Sequence, residues 1–320
     1  MPPVATAVMS GISPKIPWQF LCLADNAKAL LPFQERLRDW KDRLVGYGRE
    51  PAKDRARLLD GLRMLRWMGS VQGQTLLEIG TGWQPMLPLL YALAGARVVT
   101  ADLHRLVRRE SFQAALDAVA GMEEEIAGQL GIGTERIREA TRPCGDFRER
   151  LRELRITYLA PCDCRSLPLR AGAVDIVTSR AVFEHIPPVA LAEIVREAAR
   201  VLRPGGRMVH LIDYSDHWSH RDRRITAVNF LRYPDWIFRL TCIHPQNYQN
   251  RLRHPEYVQL FEEAGFTVTR QEKYVDEKNL QSLGKMKIDK KFRRFSPGDL
   301  AATRGLILAV LGGGARPAGG

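Results

Sequence analysis

The chain has 320 residues with 45% apolar content, enough for one large domain or two small ones around a sizeable core, which excludes a disordered chain or a peptide scaffold. Forty-eight Lys and Arg against 36 Asp and Glu give a formal charge of +12, and 38 of the basic residues are Arg, so anionic partners come into consideration. Five scattered cysteines lack the dense, even spacing of a secreted framework and read as reduced thiols in a cytoplasmic protein, while no apolar run reaches the roughly 18 residues of a membrane span and the start lacks a charged secretory leader.

In chain order, a proline-bearing leader comes first, and helical spacing over Trp18–Trp40 and Ala52–Met68 then predicts a helical N-terminal cap, the whole covering residues 1–70. From Thr75 short β-rich runs alternate with helical ones, the pattern of a parallel sheet covered on both faces. The predicted strands are Thr75–Ile79, Arg97–Ala101, Ile156–Ala160, Val174–Thr178, Arg207–Ile212, Phe266–Tyr274 and Arg304–Leu311. Pro85–Ala94, Val189–Leu202 and His254–Ala264 are predicted helices, the second stopped by Pro204-Gly205-Gly206 and the third by Gly265. The fold class expected is α/β, a doubly wound, mostly parallel seven-stranded sheet over residues 71–314, with a flexible tail at 315–320.

Three segments exceed what such a sheet needs. Leu103–Arg155 is charged and helical in period, and its Glu123-Glu124-Glu125 run reads as a solvated helix face. Residues 214–253 mix Trp218, Trp236, Tyr233 and Tyr248 with His217, His220 and His244 and seven arginines, a composition suited to a substrate lid. Residues 276–299 form a second, lysine-rich insertion.

Thr75-Leu76-Leu77-Glu78-Ile79-Gly80-Thr81-Gly82 is a buried strand that delivers an acid two residues before a glycine turn and a helix. Glycines there let a ligand approach the backbone closely. A dinucleotide fingerprint needs a third glycine where this chain has Pro85, so a nicotinamide cofactor is disfavoured. Asp102 ends the second strand, where a carboxylate can accept from both ribose hydroxyls of a nucleoside, and Asp163 after the third strand suits an adenine amino group.

In these features the sequence resembles the class I S-adenosylmethionine-dependent methyltransferases. Glu78-Ile79-Gly80-Thr81-Gly82 is similar to the family's E-x-G-x-G loop, Val174–Ile186 to its fourth-strand segment, and Leu202-Arg203-Pro204-Gly205-Gly206 to the turn before its fifth strand. The resemblance spans Thr75–Leu311 and implies the Rossmann-like methyltransferase fold with S-adenosylmethionine as cofactor. It further implies that Gly80 and Gly82 lie against the methionine part, Asp102 holds the ribose and Asp163 with Cys164 reaches the adenine, with Glu78, Thr81 and Leu103 also among the cofactor-binding residues. Ser179 and Arg180 are then expected in the pocket near the methyl group. The family's third loop glycine is replaced here by Gln84.

A sulfonium methyl is already activated, so the protein must chiefly align the acceptor and exclude water; a hydroxyl acceptor needs a base as well. His185 after the fourth strand and His217 and His220 past the fifth are the catalytic candidates, because both strand ends open onto the ligand crevice of such sheets. Asp216 is placed to orient a histidine, and Tyr214 to line the acceptor pocket. A metal site is not expected, since Cys162-x-Cys164 with Cys144 offers only one tight pair. The acceptor expected is a small metabolite, anionic or sugar-containing, methylated on oxygen or nitrogen. The competing reading is a nucleic-acid methyltransferase, prompted by the charge of the two insertions; against it, no aromatic Asn/Asp-Pro-Pro clamp follows the fourth strand and no RNA-binding module is visible. A non-catalytic cofactor-binding protein is the third reading.

Overall fold

The computed structural model describes residues 17–29, 51–143, 145–243 and 247–312. The expected leader, the second half of the Trp18–Trp40 helix, Cys144, His244 and the tail lie outside the described residues. Seven strands form one sheet: β1 (Thr75–Ile79), β2 (Arg97–Ala101), β3 (Ile156–Leu159), β4 (Val174–Arg180), β5 (Leu202–Asp213), β6 (Phe266–Val275) and β7 (Ala302–Leu311). Their order is β3-β2-β1-β4-β5-β7-β6, parallel except at β7, which runs antiparallel between β5 and β6. All seven predicted strands are present; β5 and β7 begin earlier and β4 ends later than their apolar runs suggest, because pairing extends into polar flanks.

The first two crossovers run outward from β1 to β2 and then β3, and the third returns to β4 on the other side of β1, so the C-terminal ends of β1 and β4 open a crevice at the switch point. One face of the sheet is covered by α2 (Pro51–Met68) and α3 (Met86–Leu93), joined by α4 (Arg109–Ala120), α5 (Glu123–Leu130), α6 (Thr134–Thr141) and α7 (Phe147–Glu153). The Leu103–Arg155 segment is thus helical as its period predicts, and Glu123 pairs with Arg138 at 2.9 Å on the surface. The other face is covered by α8 (Pro188–Val201) and α9 (His254–Glu263), whose Leu191, Val195, Tyr257 and Phe261 are fully buried.

The two insertions share a small core of their own. Val228, Phe230, Leu231 and Phe238 from the first pack on Leu283 and Phe292 from the second and on Leu300 just after it. Arg251 and Arg253 hold this unit together: Arg251 donates to the carbonyls of Phe230 and Tyr233, while Arg253, wholly buried, donates to those of Tyr214, Asp299, Leu300 and Ala302. Burial lowers the Arg253 guanidinium to about 10, still charged at neutral pH. The N-terminal helix α1 (Trp18–Ala29) docks on the same unit, Trp18 lying 6.0 Å from Trp218 and 5.9 Å from Tyr233. The predicted cap is therefore in two places, α1 on the insertions and α2 on the sheet.

Candidate active site

The glycine turn follows directly from β1. Gly80 and Gly82 both have positive φ, +80° and +68°, conformations that strain any residue with a β-carbon. At Gly80 a β-carbon would also stand 2.6 Å from the Val182 side chain, so the turn and the end of β4 are packed against each other through that missing atom. Space over Gly82 is open. Ala181, beside Val182, is held at φ +52°, a strained backbone at the same crevice.

Asp102 closes the turn from the next strand. Its carboxylate accepts from the Gly82 backbone N–H at 2.9 Å and from that of His104 at 2.9 Å, leaving further lone pairs for a ligand. Glu78 is buried beneath the turn: Thr100 Oγ1 donates to it at 2.6 Å and so receives the hydroxyl hydrogen of Thr81, 2.5 Å away. Burial pushes the Glu78 carboxyl up to about 8, against the Thr100 hydrogen bond. Glu78, Gly80 and Thr81 line a cleft of about 180 Å³ together with Arg57, Gln84, Met86, Leu87, Arg180, Ala181 and Val182. Polar groups at the floor and an open backbone at Gly82 fit the sulfonium, amine and carboxylate of S-adenosylmethionine.

The other expected cofactor residues are distributed less simply. Leu103 is exposed. The Cys162 N–H bonds to the Asp102 carbonyl at 2.8 Å, which brings the third-strand loop beside the second. Asp163 itself turns to Arg165, which grips it through Nε and Nη2, and Arg165 lowers the carboxyl. Cys164 is buried, and burial pushes its thiol up to about 12. Ser179 is fully buried, 2.7 Å from His210 Nδ1, and is not among the residues lining the cleft.

Arg180 does line it. Its guanidinium pairs with Asp60 of α2 at 2.7 Å, and Asp60 also receives Arg304 of β7 at 2.9 Å. Arg57, one turn earlier on α2, donates to Gln84 Oε1 at 2.7 Å. The helix ahead of the sheet therefore forms a wall of the cleft, a role that its sequence did not announce.

Beyond Arg180 the three candidate histidines meet. The rings of His185 and His217 are 4.9 Å apart and those of His217 and His220 are 5.4 Å apart and stacked. His217 Nε2 lies 3.9 Å from Asp213 at the end of β5, and His220 Nε2 is 3.1 Å from Ser215 Oγ. Burial holds the His217 imidazole below its ordinary value despite the pull of Asp213. Burial also works to raise Asp213, but His217 and His220 outweigh it and keep that carboxylate low. Asp216, expected to orient a histidine, instead caps its own turn through the Trp218 N–H at 2.9 Å. Tyr214 is wholly buried, 2.9 Å from His254 Nδ1, in the core rather than a pocket wall.

Three consecutive residues fix the histidine-bearing loops. The Tyr248 carbonyl accepts from His185 Nδ1 at 3.0 Å, and Gln249 accepts from the His217 N–H while its amide donates to the Ser215 carbonyl. Asn250 donates to the carbonyls of Phe183 at 2.8 Å and Ile186 at 2.9 Å, clasping the turn that carries Glu184 and His185. Glu184 points inward and is 1% exposed; neither carboxylate oxygen has a hydrogen-bond partner of full geometry, although the backbone N–H groups of Glu184 and Asp213 act on it at longer range. Burial raises its carboxyl well above the ordinary range. One ligand atom each from Glu184, His185 and His217 lies within 4.8 Å of the others.

A family model described as a methyltransferase domain matches residues 32–271. Solved structures of similar fold include an S-adenosylmethionine-dependent methyltransferase from Mesorhizobium loti, at 14% identity over 78% of this chain and 95% of that one, with a TM-score of 0.44. Phosphoethanolamine N-methyltransferase 2 from Haemonchus contortus, in complex with S-adenosyl-L-methionine, matches at 19% identity over 79% of this chain and 52% of that one, with a TM-score of 0.44. No curated protein matches the sequence. With the family model spanning most of its length, the chain belongs to the methyltransferase-domain family, as a class I S-adenosylmethionine-dependent methyltransferase.

Proposed function

We propose that this methyltransferase acts on an oxygen of a small, hydroxyl-bearing acceptor, sugar-like or anionic. The observation that carries the reading is the cluster of His185, His217 and His220 past the ends of β4 and β5, with Asp213 3.9 Å from His217. An amine acceptor needs no such cluster, whereas a hydroxyl must lose its proton as it attacks.

S-adenosylmethionine supplies the activated methyl. Glu78, Gly80, Thr81 and Gly82 would hold its methionine end and Asp102 its ribose. Leu103, Asp163 and Cys164 would flank the adenine, Asp163 by exchanging Arg165 for the ligand. Arg180, fixed by Asp60, would face the reacting end, with Ser179 behind it. The acceptor oxygen gives its proton to the imidazole cluster, and Asp213 stabilises the charge that appears there.

A small acceptor is favoured by where the basic residues point. Arg221 and Arg224 pair with Asp25 and Asp222, and Arg251 and Arg253 are buried on carbonyls, so four of the first insertion's arginines serve the protein itself. Methyl-labelled S-adenosylmethionine incubated with hydroxyl and amine acceptors and with RNA tests the reading. Transfer to a small hydroxyl, lowered about 100-fold by His217→Gln with cofactor affinity unchanged, is the expected result. Transfer only to RNA or amines, or an unaffected His217→Gln protein, would overturn it.

A further inference from the structure

We propose that Glu184, His185 and His217 form a site for one first-row divalent transition ion, which would take the acceptor's oxygen as a further ligand. The inference rests on the reading of the histidine cluster as the acceptor site; with His185 and His217 on the ion, His220, stacked on His217, is the imidazole left to take the acceptor's proton.

Three observations converge. First, the three side chains come from two loops and place one ligand atom each within 4.8 Å of one another, so small side-chain rotations bring them to the spacing set by bonds of about 2.1 Å. Second, Glu184 is a carboxylate 1% exposed whose oxygens meet no hydrogen-bond donor of full geometry among the described residues, only the weaker pull of the Glu184 and Asp213 backbone N–H groups, and such a group is costly unless a cation or a better donor meets it. A bound ion provides the missing partner. Third, His185 already has the support that metal-bound histidines require: a carbonyl can only accept, so Nδ1 carries the hydrogen toward Tyr248 and the Nε2 lone pair is left for a ligand. His217 is similarly held at its backbone by Gln249.

Two imidazole nitrogens and one carboxylate oxygen suit a first-row transition dication better than magnesium or calcium, which prefer all-oxygen shells. The donor set leaves positions open on the side of the cluster. There an ion would polarise an acceptor hydroxyl and fix its direction toward the methyl group.

The test is calorimetric titration of the untagged, chelator-treated full chain with Mn²⁺, Co²⁺ and Zn²⁺, with the visible absorption of Co²⁺ read in parallel. The expected result is one ion per chain and a Co²⁺ spectrum of nitrogen and oxygen coordination. Glu184→Gln and His217→Asn should each weaken affinity on the order of 100-fold. His185→Asn, at an exposed position, should do the same without disturbing the fold. Absence of saturable binding of all three ions, or undiminished binding by a folded His185→Asn protein, would overturn the site. Because the readout is binding alone, that failure would leave the methyl-transfer reading standing, to be judged by the labelled-methyl experiment.

Discussion

The Nδ1 hydrogen of His185 is committed to the carbonyl of Tyr248 at 3.0 Å, and the next two residues, Gln249 and Asn250, tie down the two loops that bring His185 and His217 together. The proposed acceptor site is built from strand ends, but the geometry of its histidines is set by this three-residue clamp from the end of the first insertion. Asn250→Ala takes a donor from the carbonyls of Ile186 and Phe183, the latter keeping the Ile186 N–H, which costs about 1–3 kcal/mol at most for the one left bare. We expect a lower midpoint in urea and a large fall in turnover with S-adenosylmethionine affinity preserved. An equal loss of cofactor affinity would mean that the clamp serves the cofactor cleft instead.

Asp60 receives both Arg180 and Arg304 while nearly buried, so Asp60→Asn leaves two guanidinium groups without their carboxylate. Breaking such a pair from one side costs about 3–5 kcal/mol when burial is complete and less here. Thermal unfolding should show the loss, and S-adenosylmethionine should bind more weakly because Arg180 is no longer fixed. Unchanged affinity in the variant would remove α2 from the cofactor wall.

Gly80→Ala meets two separate penalties, a left-handed backbone costing roughly 1–2 kcal/mol and contact with Val182. The paired variant Gly80→Ala with Val182→Ala removes the contact but not the backbone strain. Its stability should therefore recover only in part, as denaturant titration can measure. Complete recovery would show that the positive φ carries no cost.

Glu78 gives a pH signature. Its folded-state value is raised from 4.5 to about 8 by burial, so the unfolded chain releases this proton first and the folded state loses stability as pH rises across that interval. Glu78→Gln cannot titrate. Compared with the wild type it should be little changed near pH 5 and gain on the order of a few kcal/mol by pH 9. A stability difference independent of pH would contradict the burial of an ionisable acid under the glycine turn.

Much of this architecture is legible in the sequence because backbone and side chain agree there. Thr75–Ile79 and Val174–Thr178 are apolar runs between turn residues, and Gly80 and Gly82 sit where a turn needs left-handed backbone. His185, His217 and His220 could be brought together from strand order alone. Their carboxylate partners could not: Glu184 reads as an ordinary residue at a helix start, and Asp213 as the polar end of a strand. Asp60 and Arg57 lie on a charged helix whose polar positions look like a solvated face until the fold turns them toward the cleft. Arg251 and Arg253 mislead most. Charged side chains default to the surface, yet these two are buried as donors to backbone carbonyls, and the charge that suggested a polyanion partner is partly structural.

The most direct test of the account is calorimetric titration of S-adenosylmethionine into the wild-type protein and into Asp102→Ala, with folding of both checked by circular dichroism. Asp102 stands between the glycine turn and the loop after β2, so saturable one-to-one binding that weakens about tenfold or more in the variant is the predicted result. Binding of equal strength to both proteins, or none to a folded wild type, would contradict the placement of the cofactor on this turn.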